Sequence, residues 1–174
     1  KMKDAPKSKY SENLDENHQT STFLAYASSK VEKEIQIKKS GKKYAIFRLG
    51  SVYGFSTDTM RINIMPNLFS KIASQNGKIK LFGGGVQLKS LVPLIDVARC
   101  FKFVEENKMF ESGIYNLTKE NLTVRDVAEI CKKINSKLEI SSTDDEVPNK
   151  GYSISNKKLL ETGFEFVHDI ETCI

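Results

Sequence analysis

Residues 21–54 read S-T-F-L-A-Y-A-S-S-K-V-E-K-E-I-Q-I-K-K-S-G-K-K-Y-A-I-F-R-L-G-S-V-Y-G, and this stretch decides the fold. Its first half has apolar residues at three- and four-residue steps, a spacing that predicts a helix. Ser21 or Thr22 is a suitable N-cap, and the helix is expected to run to about Lys39. Residues 44–52 follow as a mostly apolar run without a helical period, as expected of a buried parallel strand. A helix that leads into a buried strand is typical of an α/β architecture.

The rest of the chain repeats this alternation. Thr123 and Asp126 form a capping-box pattern before a clear amphipathic helix, and Asp96 is expected to cap another helix. Residues 1–20 are mostly polar and predict a loop. The other expected elements are helices near residues 62–75, 96–107, 124–134 and 155–160, and strands near residues 79–82, 90–94, 113–117 and 138–141. The sequence therefore predicts an α/β fold.

The glycine run at residues 83–85 does not have the position of a phosphate-binding loop. A dinucleotide fingerprint places G-x-G-x-x-G between a strand and a helix, whereas these glycines precede an extended segment. A loop or hairpin is expected there. No G-x-G-x-x-G pattern occurs in the 174 residues.

Composition excludes several classes of protein. With 174 residues, of which 39% are hydrophobic and 28% charged, the chain has the make-up of a soluble globular domain. No apolar run approaches the roughly 20 residues of a membrane span, and no signal peptide is evident. The net charge of +5 comes from lysines scattered among acids, which favours a solvated surface over a nucleic-acid site. Three widely spaced cysteines without a Cys/His cluster support neither a zinc site nor a disulfide framework, so we expect no metal and a cytoplasmic location.

Tyr26 and Lys30 are the candidate catalytic residues. They are four positions apart on the predicted helix, so they share a face and lie within one turn of each other. A free tyrosine has a pKa of about 10, and a nearby ammonium favours the phenolate. The pair can therefore act as a general base toward a sugar hydroxyl. The spacing alone also fits a packed tyrosine beside a solvated lysine, and it leaves both interpretations open.

Several segments in order resemble one protein family. Y-A-S-S-K at residues 26–30 resembles the motif Y-x-x-S-K, and I-F-R-L-G-S-V-Y-G at residues 46–54 resembles L-R-x-x-N-V-Y-G. Residues 82–98 resemble G-x-G-x-Q-x-R-D-F-x-x-V-x-D-V-A, and G-I-Y-N-L-T at residues 113–118, followed by T-V-R-D-V-A-E-I, resembles a later strand and helix. Together they resemble the extended short-chain dehydrogenase/reductases, the NAD-dependent epimerase/dehydratase group that acts on nucleotide sugars.

The resemblance implies the C-terminal part of a doubly wound NAD(P)-binding Rossmann-type fold with a small α/β substrate-binding subdomain. Residues 1–56 would end the Rossmann-type domain, and residues 57–174 would be mainly the substrate-binding subdomain, with some segments returning to the Rossmann-type sheet. The family's Gly-rich loop, its acidic ribose-binding residue and its catalytic serine or threonine would all precede Lys1. We therefore expect an incomplete chain that alone neither binds NAD tightly nor turns over.

The resemblance also implies roles for individual residues. Tyr26 would be the catalytic base or acid, and Lys30 would stabilise its phenolate and hydrogen-bond the nicotinamide ribose. Ser51 replaces the family's usual asparagine and would contact substrate. Lys89 replaces an arginine that commonly contacts the nucleotide diphosphate, and it keeps the charge but not the bidentate fork. The residues expected to bind NAD or NADP are Tyr26, Lys30, Arg48, Leu49, Gly50 and Val52.

The function implied by the resemblance is oxidation of a nucleotide-sugar hydroxyl with NAD or NADP, followed by epimerisation, dehydration or net reduction. A catalytically silent NAD(P)-sensing binding protein of the same fold is the alternative. No nucleic-acid or membrane partner is expected. The full-length protein is expected to be a homodimer in which the catalytic helix packs against the same helix of the second subunit through Phe23, Ala27, Val31 and Ile35. The alternative is that these apolar residues face the protein's own sheet.

Overall fold

Helices and strands alternate along the chain, as the sequence predicts. The computed structural model describes residues 11–20 and 23–174. In chain order the elements are β1 (Ser11–Leu14), α1 (Ala25–Lys39), β2 (Ala45–Leu49), β3 (Ser51–Tyr53), α2 (Met65–Ser74), β4 (Lys78–Leu81), β5 (Leu88–Pro93), α3 (Leu94–Glu106), β6 (Gly113–Leu117), β7 (Glu120–Thr123), α4 (Val124–Ile134), β8 (Glu139–Ser142), β9 (Tyr152–Ile154), α5 (Lys157–Leu160) and α6 (Ile170–Cys173).

Parallel pairing dominates the small sheets of the described chain. β2 pairs with β6, β4 with β8 and β1 with β9, all in parallel. β5 lies between β3, which is parallel to it, and β7, which is antiparallel. Such pairing requires crossover connections, and helices supply most of them. The α/β architecture predicted from the sequence is confirmed.

Two hydrophobic clusters form the core. One lies between α2, α4 and the β4–β8 pair, and Leu81, Val127 and Leu138 are fully buried in it. The other is aromatic and surrounds β6, with Phe110, Tyr115 and Phe164 among its members. In the first cluster α4 presents a single apolar face, which explains the strong helical period of its sequence.

Several local predictions are confirmed. The capping box of Thr123 and Asp126 is present, and α4 begins directly after it. Gly83, Gly84 and Gly85 form a short turn with positive φ angles that leads into β5, so they are not the start of a phosphate-binding helix. α2 begins three residues later than expected, with a proline in its first turn.

Four local predictions need correction or lie beyond what is described. Ser11–Leu14 is a strand rather than a loop, because β9 supplies a partner that local sequence could not indicate. Residues 44–52 are two strands, interrupted at Gly50. Asp96 does not cap α3, whose N-cap is Pro93; it lies in the first turn and is fully buried. Ser21 and Thr22 lie outside the described residues, and α1 begins at Ala25 without a side-chain cap.

Two kinds of feature are absent from the described residues. No helix there combines the length and the apolar character needed to cross a bilayer. Within residues 11–20 and 23–174, no group of three or more His, Cys, Asp or Glu side chains could hold a metal ion.

Candidate active site

The first two turns of α1 present Tyr26 and Lys30 on one side of the helix. The Lys30 ammonium lies 5.3 Å from the centroid of the Tyr26 ring, a cation–π distance. The Tyr26 side chain is 72% exposed, so its hydroxyl is accessible to a bound molecule. The Ser29 hydroxyl donates to the Tyr26 carbonyl at 2.8 Å and is therefore used within the helix. The pair has the accessibility that a proton-transferring group requires.

Tyr26 and Lys30 line an open cleft of about 590 Å³. α1 forms one wall, the end of β2 forms the floor with Arg48 and Leu49, and β9 with the segment after β1 forms the opposite wall. The remaining polar residues of this wall include Asp15, His18 and Tyr152. The candidate catalytic pair thus faces a space large enough for part of a substrate or cofactor.

A second cleft of about 330 Å³ adjoins the first. Leu49 and Tyr152 belong to the lining of both clefts, so the two spaces meet there. Gly50, Ser51 and Lys89 line the second cleft only. Seven of the eight residues expected at the site therefore surround two adjoining clefts. Val52 is the exception, because its half-buried side chain packs against the aromatic core.

Gly50 determines how the chain passes between the two clefts. β2 pairs with β6 and β3 pairs with β5, so the chain changes partner strands at this residue. The Gly50 amide donates to the Leu117 carbonyl at 3.0 Å. A Cβ atom at this position would lie 2.7 Å from the Ser90 carbonyl oxygen, so only glycine fits without a shift. The break exposes Leu49 and Ser51 to the clefts, as their surface exposure indicates.

Each of the three nitrogens of the Arg48 guanidinium donates to a protein acceptor. Its Nε and Nη2 donate to the two carboxylate oxygens of Glu34 at 2.9 Å and 2.8 Å, and its Nη1 donates to the Glu16 carbonyl at 3.1 Å. The hydrogen bond from Arg48 lowers the pKa of Glu34 despite partial burial, so Glu34 is ionised at neutral pH. Arg48 thus joins α1 to the sheet at the floor of the first cleft.

Asparagine side chains attach the far wall of the clefts to the rest of the protein. Asn116 donates to the carbonyls of Leu14 and Ser155, both at 3.1 Å. Asn121 accepts from the Ile154 amide at 3.0 Å and donates to the Ile154 carbonyl at 3.1 Å. These bonds hold β1 and β9 beside the main sheets. The sequence pattern did not predict this wall, because β9 has only three residues and its parallel partner β1 lies about 140 positions away.

The model of the NAD dependent epimerase/dehydratase family matches residues 3–118. No curated protein is significantly similar to the chain in sequence.

Solved structures of similar fold include enzymes with bound nucleotide sugars or NAD. The UDP-glucose 4-epimerase of Thermotoga maritima with UDP-glucose has a TM-score of 0.77 at 18% identity, over 96% of this chain and 56% of that one. The UDP-glucuronic acid 4-epimerase of Bacillus cereus, in complex with UDP-glucuronic acid and NAD, has a TM-score of 0.75 at 18% identity, over 95% and 55%.

The dTDP-glucose 4,6-dehydratase of Bacillus anthracis, in complex with NAD, has a TM-score of 0.70 at 18% identity, over 92% and 53%. The chain spans about half the length of these structures. At such identity the likeness concerns the fold, and it confirms the predicted Rossmann-type α/β class.

Proposed function

Because the chain belongs to the NAD dependent epimerase/dehydratase family, we propose that its full-length protein transiently oxidises a hydroxyl of a nucleotide sugar, with Tyr26 as the base. One observation carries the proposal. Tyr26 and Lys30 lie one turn apart on α1, accessible to the same 590 Å³ cleft that adjoins the cleft of Lys89. The enzymes of similar fold that contain UDP-glucose or UDP-glucuronic acid support the class of substrate.

The residues around the first cleft fit the nicotinamide end of a dinucleotide. An accessible phenol and an ammonium are suitable partners for ribose hydroxyls, and the exposed backbone around Leu49 and Gly50 offers a surface beside them. NAD, when bound there, supplies the hydride acceptor. Its phosphates need a glycine-rich loop, and the 174 residues contain no G-x-G-x-x-G pattern. We therefore propose that dinucleotide binding requires a part of the protein beyond these residues.

Tyr26 performs the proton transfer in this proposal. Its phenolate accepts the proton of the sugar hydroxyl as hydride leaves the same carbon, and the phenol returns a proton when the carbonyl is reduced. The Lys30 ammonium favours the phenolate by its charge. Ser51 and Lys89 line the adjoining cleft, where a hydroxyl and a cation would hold the sugar and the diphosphate. Whether epimerisation, dehydration or net reduction follows depends on groups that these residues do not include.

Two further features belong to the proposal. We place the enzyme in the cytoplasm because its three cysteines form no disulfide framework. We also propose a homodimer that uses α1 and the residues just before it, where Phe23 and Ile35 are exposed and Ala27 and Val31 are half-buried. Cross-linking of the full-length protein, with and without a Phe23→Glu change, tests the dimer: loss of the cross-link is expected, and its persistence would exclude this surface.

The Tyr26→Phe variant of the full-length protein tests the enzymatic role. We expect kcat to fall by roughly 10²- to 10⁴-fold, the usual contribution of a general base, while the dissociation constant for NAD changes only a few-fold. Tyr44→Phe is the matched control, because Tyr44 lines neither cleft. A silent NAD(P)-sensing protein would show no turnover and would be indifferent to both changes.

The 174-residue chain itself tests the second part of the proposal. We expect no NAD binding at micromolar concentration in a calorimetric titration, since no phosphate-binding loop is present. Micromolar affinity would contradict the proposed division between dinucleotide and substrate binding.

A further inference from the structure

We infer that Arg48 is a positioning residue, which fixes the catalytic helix α1 on the sheet through a bidentate ion pair with Glu34, rather than a residue that contacts the cofactor. This inference rests on the proposed function for its catalytic consequence. The pair has the fork geometry of a strong Arg–carboxylate contact, with Nε and Nη2 at 2.9 Å and 2.8 Å from the two Glu34 oxygens. The two side chains are 25% and 16% exposed, so solvent screens this pair less than a pair on the open surface.

Within residues 11–20 and 23–174, α1 has few other means of attachment. None of its fifteen residues is buried, so no side chain of the helix is inserted into either hydrophobic cluster. Most helices are held in place by a buried apolar face, and α1 lacks one. The ion pair is therefore a principal contact that fixes the position of the helix relative to β2.

The contact extends beyond the two charged residues. Arg48 Nη1 donates to the backbone carbonyl of Glu16. The Glu16 carboxylate in turn accepts from the backbone amide of Asn116 at 2.7 Å. Arg48 and Asn116 are register partners on β2 and β6. One guanidinium thus joins α1, the segment after β1 and the paired strands beneath the cleft. With Nε, Nη1 and Nη2 all donating to protein oxygens, the guanidinium is committed to this junction.

The position of Glu34 on the helix connects this junction to the chemistry. Tyr26, Lys30 and Glu34 follow one another at four-residue steps, so Glu34 lies about 12 Å along the axis from Tyr26. Release of the Glu34 end lets the helix shift or rotate, and this moves the Tyr26 hydroxyl relative to a bound sugar. A misplacement of about 1 Å can reduce turnover by roughly 100-fold. A lysine at position 48 would keep the charge but not the two parallel hydrogen bonds.

The experiment uses the full-length protein with NAD and four variants: Arg48→Ala, Arg48→Lys, Glu34→Gln and the double Arg48→Ala/Glu34→Gln. We expect kcat to fall by roughly 100-fold in Arg48→Ala and in Glu34→Gln, with KM for the nucleotide sugar within about three-fold of the wild type. The double variant should be no worse than either single one, because both remove the same contact. Arg48→Lys should recover part of the loss.

Hydrogen exchange of the α1 amides supplies a second readout that does not depend on turnover. We expect faster exchange over residues 25–39 in both single variants and unchanged exchange in Glu32→Gln. Glu32 is a matched control, since it lies on the same helix, is exposed and accepts from Gln36, its one side-chain partner among the described residues. If Arg48→Ala fails to fold, Glu34→Gln alone still tests the inference by both readouts.

Two outcomes would overturn the inference. Loss of NAD affinity in Arg48→Ala with a normal Glu34→Gln would make Arg48 a cofactor contact. A lower melting temperature with normal kcat and normal α1 exchange in both variants would reduce the ion pair to general stabilisation. If the wild-type protein turns over no nucleotide sugar, the proposed function fails by itself, and the exchange measurement then decides whether Arg48 holds α1.

Discussion

Replacement of Asp96 by asparagine should remove an appreciable part of the stability of the fold. The carboxylate is fully buried at the start of α3. One oxygen accepts from Arg99 at 2.6 Å and from the His168 ring at 3.1 Å, and the other accepts from the His168 amide at 3.0 Å and more distantly from the Val167 amide at 3.3 Å. Asp96 therefore attaches the segment before α6 to α3.

The expected magnitude follows from these contacts. Asparagine has one acceptor oxygen and one NH₂ group. It can therefore accept either from the side chains of Arg99 and His168 or from the backbone amides of Val167 and His168, but not from both sets. The other set loses charge-assisted hydrogen bonds worth about 1.5–3 kcal/mol each. The side chains of Arg99 and His168 are 38% and 35% exposed, so water compensates part of the loss. We expect the free energy of unfolding at pH 7 to decrease by about 3 kcal/mol.

The difference between wild type and variant should depend on pH. Burial by itself raises the pKa of Asp96, but the hydrogen bonds from Arg99 and His168 outweigh it and keep the pKa below its ordinary value. A carboxyl with a depressed folded-state pKa contributes stability above its unfolded pKa of about 3.9 and loses it as the pH falls through the folded value. The contribution of the Asp96 carboxylate should be lost progressively below about pH 4, so the difference between wild type and variant should narrow there.

Urea unfolding monitored by circular dichroism, repeated between pH 7 and pH 3.5, measures both effects. Asp144→Asn is the control, because Asp144 is exposed and should change the stability by less than about 0.5 kcal/mol. A loss below about 1 kcal/mol at pH 7 for Asp96→Asn would refute the assigned contacts. A difference that does not narrow at all between pH 5 and pH 3.5 would refute the ionic part of the argument.

Three further predictions concern single positions. Thr123→Ala removes the N-cap of α4 and should cost about 1 kcal/mol in urea unfolding, whereas Thr123→Ser should cost only a few tenths, and equal losses would contradict the capping box. Gly50→Ala places a Cβ atom 2.7 Å from the Ser90 carbonyl oxygen and should destabilise the fold by about 1–3 kcal/mol, measured as a lower melting temperature. An unchanged melting temperature would show that the backbone at the strand break can shift to accept the methyl group. Lys89→Ala in the full-length protein should raise KM for the nucleotide sugar about tenfold with little change in kcat. Lys78→Ala is the control, because Lys78 is an exposed lysine outside the cleft, and the same rise in KM there would argue against a diphosphate contact of Lys89.

Elements that depend on neighbouring residues could be predicted from the sequence. α4 is the clearest case, because its cap, its amphipathic period and its end all lie within a dozen residues. The strand at residues 113–117 could also be predicted from local sequence, since its mostly apolar run reflects burial on both faces. The α/β class followed from the alternation of such elements.

Elements that depend on distant partners could not be predicted in this way. β1 and β9 have four and three residues, and each is a strand only because the other lies beside it. Asp96 shows the same limit for a side chain. Its position before a helix favours a cap by local preference, but His168, 72 positions later, provides the partner that draws it into the interior.

The candidate site combines both kinds of information. The spacing of Tyr26 and Lys30 is local, whereas the cleft they line is closed by β9 and the segment after β1, which the sequence did not reveal. Glu34 continues the same four-residue step, so its place near the catalytic face was readable from the sequence. Its partner was not, because a resemblance assigns Arg48 to the cofactor by its place in a motif, while the fold places Glu34 within hydrogen-bonding distance of it. In the function proposed above, three residues at equal steps on one exposed helix thus divide the work: Tyr26 would transfer the proton, Lys30 would supply the charge, and Glu34 would hold the helix where the other two can act.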